Sequence, residues 1–148
     1  MRISIKCSSA IHILLMIAEL SPHQKVTSEY LASSVGSNPV EIRKLLGSLK
    51  KAGIIDVTRG SGGATLTRRP EDITLLDIFT AVDSTSLDEL IGVHTHAAPQ
   101  CLFGKNIVTL LSEPYSKVGD AVRDTMSGVT LDQLLTRLEE LEPELTGK

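Results

Sequence analysis

SNPVEIRKLLGSLKKAGIIDVTRGSGGATLTRR, from Ser37 to Arg69, is the stretch on which the reading of this chain turns. Asn38 is suited to cap a helix, Pro39 to take its first position, and Glu41 to complete an Asn-x-x-Glu capping box. Ile42, Leu45, Leu46 and Leu49 recur at steps of three and four and share one helical face. Val40, Arg43, Lys44, Gly47 and Lys51 fall on the other side. Gly53 is placed to stop the helix in a left-handed conformation. Ile55 and Val57 then alternate with polar residues, Gly60-Ser61-Gly62-Gly63 turns the chain, and Thr65-Leu66-Thr67 runs back. A basic helix followed at once by a hairpin tipped with Gly and Arg is the pattern of a winged helix-turn-helix. In that arrangement the helix enters the major groove of DNA and the hairpin lies along the backbone or reaches the minor groove.

Outward from this stretch, the remaining elements follow from caps and periodicity. Ser4 to Leu20 is apolar around most of a helical circumference. Cys7, Ile11, Leu14, Leu15 and Ala18 form one stripe, and Ile13, Met16, Ile17 and Leu20 another. Such a helix needs partners on more than one side, its own domain and a second subunit. Thr27 caps a short helix closed by Gly36, which completes the helix-turn-helix. Thr74 with Asp77 opens a helix through Val82, and Thr130 with Gln133 opens the last one. Asp83 to Gln100 carries no regular pattern and is where an effector pocket is expected. Leu102 to Met126 is helical, with Pro114 expected to bend or break it. The expected fold is mainly α with a small β-hairpin wing: a winged helix-turn-helix over residues 1–83, then an effector loop and helical dimerisation region over 84–148.

Composition narrows the class of function. Only two Tyr, two Phe and no Trp occur, which argues against single-stranded nucleic acid and its stacking platforms. Met1 to Arg69 carries ten Lys/Arg against four Asp/Glu, whereas Pro70 to Lys148 carries five against fourteen. A basic half joined to an acidic half fits a DNA-binding module on a platform that does not touch DNA. Two cysteines make no disulfide framework and suit a reducing cytoplasm. The apolar run near the N-terminus is too short to span a bilayer and lacks a cleavage site, so no membrane partner is expected.

The candidate DNA-reading residues lie on these elements. Arg43 and Lys44, with Val40, stand near the start of the recognition helix, where side chains meet base edges; Arg pairs well with guanine. Thr27, Ser37 and Asn38 sit at helix starts, where they hold phosphates or serve as caps alone. Arg59 precedes the Gly60-Ser61-Gly62 turn and is placed to enter a narrow minor groove, or else to pair with Asp56. Walker-type spacing is absent from the glycine turn, so nucleotide phosphates are not its expected ligand.

His94-x-His96 with Cys101 is the remaining chemical constellation, a possible metal or thiol sensor. Used as a metal or nucleophilic site it would make the chain an enzyme, but no base with an orienting partner accompanies it. Cys7 lies on an apolar stripe and is expected in the core.

The order of these parts, with the strings LKKAGIIDVTRGSGGATL and ITLLDIFTAV, resembles the Rrf-two family of bacterial winged-helix regulators over nearly the whole chain. The resemblance implies a homodimer joined through the long helix and bound to a roughly palindromic double-stranded operator, most simply as a repressor. Some relatives, such as the iron–sulfur cluster regulator and the nitric-oxide sensor, hold an iron–sulfur cluster on three cysteines before that helix. Here Cys101 stands near the third of those positions, while Thr95 and Glu89 stand six and twelve residues upstream. No cofactor is therefore expected.

Overall fold

Caps set where the helices begin. The computed structural model describes residues 4–60 and 63–146. Helix α1 spans Ile5–Leu20, with the Ser4 hydroxyl accepting from the Lys6 amide. Helix α2, Ser28–Val35, is capped by Thr27 and closed by left-handed Gly36. Helix α3, Pro39–Lys51, is capped by Asn38, whose side chain accepts from the Glu41 amide. Full capping boxes open α4, Leu75–Val82, at Thr74 and Asp77, and α6, Leu131–Leu141, at Thr130 and Gln133. Helix α5, Ile107–Ser127, has no side-chain cap and follows a short 3-10 turn at Gly104–Asn106.

The wing is one antiparallel pair, β1 Ile55–Thr58 and β2 Gly63–Leu66. Ile55 faces Leu66 and Thr58 faces Gly63, so the return strand starts two residues before the expected Thr65. Gly63 is needed there. Its φ is +73°, and a Cβ would meet both the N and O of Val26 at 2.9 Å. That close approach lets the Ala64 amide donate to the Val26 carbonyl at 3.2 Å, which fastens the wing to the loop before α2.

One buried cluster joins all of this. Ile13, Leu14 and Ile17 of α1 meet Leu31 of α2, Ile42 and Leu49 of α3, Ile54 and Ile55, Ile73, Ile78 of α4, and Leu131 of α6. Each such side chain contributes roughly 1.5–3 kcal/mol on leaving water. Cys7 is buried as expected, and burial raises its thiol pKa, with the nearby Asp83 carboxylate adding to the effect. Helix α6 is tied to the segment before α4 through the Leu131 amide, which donates to the Ile73 carbonyl at 2.8 Å. Among the described residues no helix is long and apolar enough to cross a membrane.

Four local expectations are corrected. Glu41 does not close a capping box, because its carboxylate accepts from Lys44 Nζ one turn on, at 2.8 Å. Pro114 does not break α5, which runs unbroken through it. The carbonyl left without its amide partner belongs to Leu110, a residue that is itself exposed, so water can satisfy it. Leu102 to Asn106 is turn and 3-10 helix rather than the start of α5. On α1 the buried line is Cys7-Ala10-Ile13-Leu14-Ile17, drawn from both expected stripes with Ala10, which belongs to neither; Ile11, Leu15 and Met16 remain half-covered.

Candidate nucleic-acid interface

Burial of Ile42, Leu46 and Leu49 orients α3 and turns its opposite face to solvent. Val40 is 55% exposed, and Arg43 and Lys44 stand beside it on that face. Neither cation is unpaired. Arg43 Nη2 lies 2.6 Å from Glu29 Oε1 on α2, and Lys44 Nζ is held by Glu41. The Glu29 carboxyl is shifted below its ordinary range, first by its own backbone N–H at the start of α2, then by Ser28 and Arg43. Lys44 is the leading cause of the corresponding shift at Glu41.

Helix starts account for two of the three small polar candidates. Thr27 Oγ1 accepts from the Tyr30 amide at 3.2 Å, and Asn38 Oδ1 from the Glu41 amide at 3.0 Å. Both side chains therefore serve as caps in the free protein. Ser37 differs: it shares with Lys6, Glu41 and Lys44 the wall of a cavity of about 320 Å³ beside the recognition helix.

At the wing, Arg59 and Gly60 are exposed, and Gly60 adopts φ +84° to enter the turn. Ser61 and Gly62 lie outside the described residues. Asp56 pairs with Lys50 at 3.5 Å, and Arg59 has no ion-pair partner among the described residues. The alternative pairing of Arg59 with Asp56 is therefore not the one formed. Sequence reasoning missed Lys25, whose amine donates to the Gly60 carbonyl across 35 positions and ties the wing tip to the loop after α1. No local signal could have found it, because the contact exists only once the hairpin has packed on Val26.

The segment between α4 and α5 holds the other candidates. His94, His96 and Cys101 are all exposed, and among the described residues no three His, Cys, Asp or Glu side chains gather as metal ligands. Cys101 has a distinct environment of its own: the backbone N–H groups of Gly104 and then Phe103 point at the sulfur and lower its pKa. Nearby, Asp88, Ile91 and Val93 form with Val108, Ser112, Tyr115 and Ser116 of α5 a cavity of about 270 Å³. Arg123 of α5 braces this segment by pairing with Asp88 at 3.0 Å.

The Rrf2 family model, described as an iron-dependent transcriptional regulator, matches residues 3–137. The "Putative HTH-type transcriptional regulator YwnA" of Bacillus subtilis is 36% identical over 136 residues, covering 92% of this chain and 98% of the relative. Solved structures share the fold as well. CymR, the global cysteine regulator of B. subtilis, superposes with TM-score 0.68 at 22% identity, covering 92% of this chain and 97% of its own. T. potens IscR superposes with TM-score 0.72 at 20% identity, covering 96% and 91%. With the family matched over residues 3–137 on a winged-helix fold, the chain belongs to the Rrf2 family of DNA-binding transcriptional regulators.

Proposed function

We propose that the chain works in the cytoplasm as a homodimeric repressor that places two copies of α3 in successive major grooves of a roughly palindromic operator. The observation that carries this reading is the α3 face of Val40, Arg43 and Lys44, set beside a wing that Lys25 and Val26 hold in place. Arg43 and Lys44 read base edges, Ser37 and Asn38 lie against phosphates, and Arg59 with the Gly60-Ser61-Gly62 turn follows the minor groove. Residues 1–83 form the reading unit, and residues 84–148 pair the subunits and receive a signal. The exposed apolar face of α5 supports pairing: Leu110 and Val118, eight residues apart and on one side of the helix, are 63% and 36% exposed, and Gly119 alone of its described residues is buried. The test is a binding titration with the duplex that the protein enriches from a randomised library, against a scrambled duplex, at several salt concentrations. Salt-dependent preference for the enriched duplex supports the reading, and equal binding to both overturns it.

A second reading concerns the signal. Cys101 is exposed with a lowered pKa, which suits a thiol-based sensor. Oxidation that changes DNA affinity in the parent but not in Cys101→Ser would support it.

A further inference from the structure

We propose that Gly47 is a contact-distance position of the interface, where the backbone of α3 meets the wall of the DNA major groove with no side chain between them. The inference rests on the DNA reading above and extends it to a residue that carries no functional group.

The fold has no use for glycine at this point. Residue 47 is in the interior of α3, outside the set of positive-φ glycines Gly36, Gly53, Gly60 and Gly63, so any L-residue can adopt its conformation. A Cβ built on it meets nothing within 4 Å, in contrast to Gly63, Gly104 and Gly119, where backbone atoms crowd that position. A helix-interior glycine also lowers stability relative to alanine. Gly47 is therefore a cost to the free protein with no packing return.

Its place on the helix suggests what offsets that cost. Gly47 is exposed, three and four residues from Lys44 and Arg43 on one side and from Lys50 and Lys51 on the other. These steps put it between the four cations on one helical face. A bare centre ringed by long basic side chains suits a surface that must come close to a polyanion. The cations reach phosphates and base edges, and the helix axis sits deeper in the groove than a side chain at position 47 would allow. In this interface an added methyl group acts as overpacking does in a core, pushing every neighbouring contact outward.

The experiment measures stability and binding on the same full-length protein, with Gly47→Ala compared to the parent. Thermal melting should show the variant more stable by roughly 3 °C. Its affinity for the duplex that the parent enriches from a randomised library should be about tenfold weaker, with a smaller loss on a scrambled duplex. Opposite signs in the two measurements separate an interface effect from a folding defect. If the variant is more stable and binds the enriched duplex like the parent, the inference fails while the DNA reading stands. A lower melting temperature would show that the fold itself requires the glycine, and would overturn the inference too. A parent that enriches no duplex would overturn both together.

Discussion

Arg43 of α3 and Glu29 of α2 are joined by a 2.6 Å ion pair across the two helices of the helix-turn-helix. Both side chains are more than half exposed, so the pair is held in water and adds little to stability. Its expected consequence lies in recognition: a carboxylate beside the arginine proposed to read base edges repels phosphates and limits which directions the guanidinium can take. The Glu29 pKa is lowered, so the carboxylate is present at neutral pH, and the pair is lost only as pH falls through that depressed value. Glu29→Gln should bind scrambled duplex about threefold more tightly or better, while its preference for the enriched duplex narrows. Titrating both duplexes at fixed salt checks this.

Arg43 and Arg59 should fail differently. Arg43→Ala should cost roughly 1–3 kcal/mol per base contact and relax base preference within each half-site. Arg59→Ala should weaken binding and shift preference among A·T-rich flanks, leaving the central bases nearly unaffected. Anisotropy titrations over a panel of point-substituted duplexes separate the two outcomes. Parent-like binding by both variants would remove α3 and the wing from the reading surface.

In the proposed dimer a second subunit covers the apolar groove of Ile11, Leu15 and Met16 with Leu138, about 460 Å³, and the exposed apolar face of α5. Sedimentation at micromolar concentration should show a dimer, with an interface on the order of 2,000 Å². Leu110→Glu should sediment as a monomer with unchanged helix content, because Leu110 is 63% exposed within the subunit.

Gly63→Ala combines two penalties, a Cβ at 2.9 Å from the Val26 backbone and a positive φ. It should destabilise the protein by about 2 kcal/mol or more. The same substitution at Gly60, where φ is also positive but nothing lies within 4 Å, should cost less. Chemical denaturation of the two variants gives the comparison directly.

The two cysteines should react on different schedules. Backbone N–H groups of Gly104 and Phe103 favour the Cys101 thiolate, so its alkylation should rise at a lower pH than that of an ordinary exposed thiol. Cys7 is buried with a raised pKa and should be alkylated only in denaturant. Mass spectrometry of the native protein across a pH series should therefore show one label, on Cys101.

Short-range chemistry was enough to place most elements from the sequence by itself. Ser, Thr and Asn caps, the left-handed glycines at 36 and 53, and apolar steps of three and four each act within a turn or two of chain. The hairpin alternation of Ile55 and Val57 is equally local, and so the helix–turn–helix and wing were readable in order. Cys101's position ahead of a helix was also visible, though not the 3-10 turn whose amides reach its sulfur. What the tertiary structure alone decided is which partner each charged side chain takes. Asp56 took Lys50 and left Arg59 with no ion-pair partner among the described residues, whereas the Glu41–Lys44 pair is local to α3. Arg43 found Glu29, 14 residues away, and Lys25 found the Gly60 carbonyl at 35. Exposed ion pairs differ little in energy, so distance and packing choose among them, and those are set only when α2, α3 and the wing close on one core.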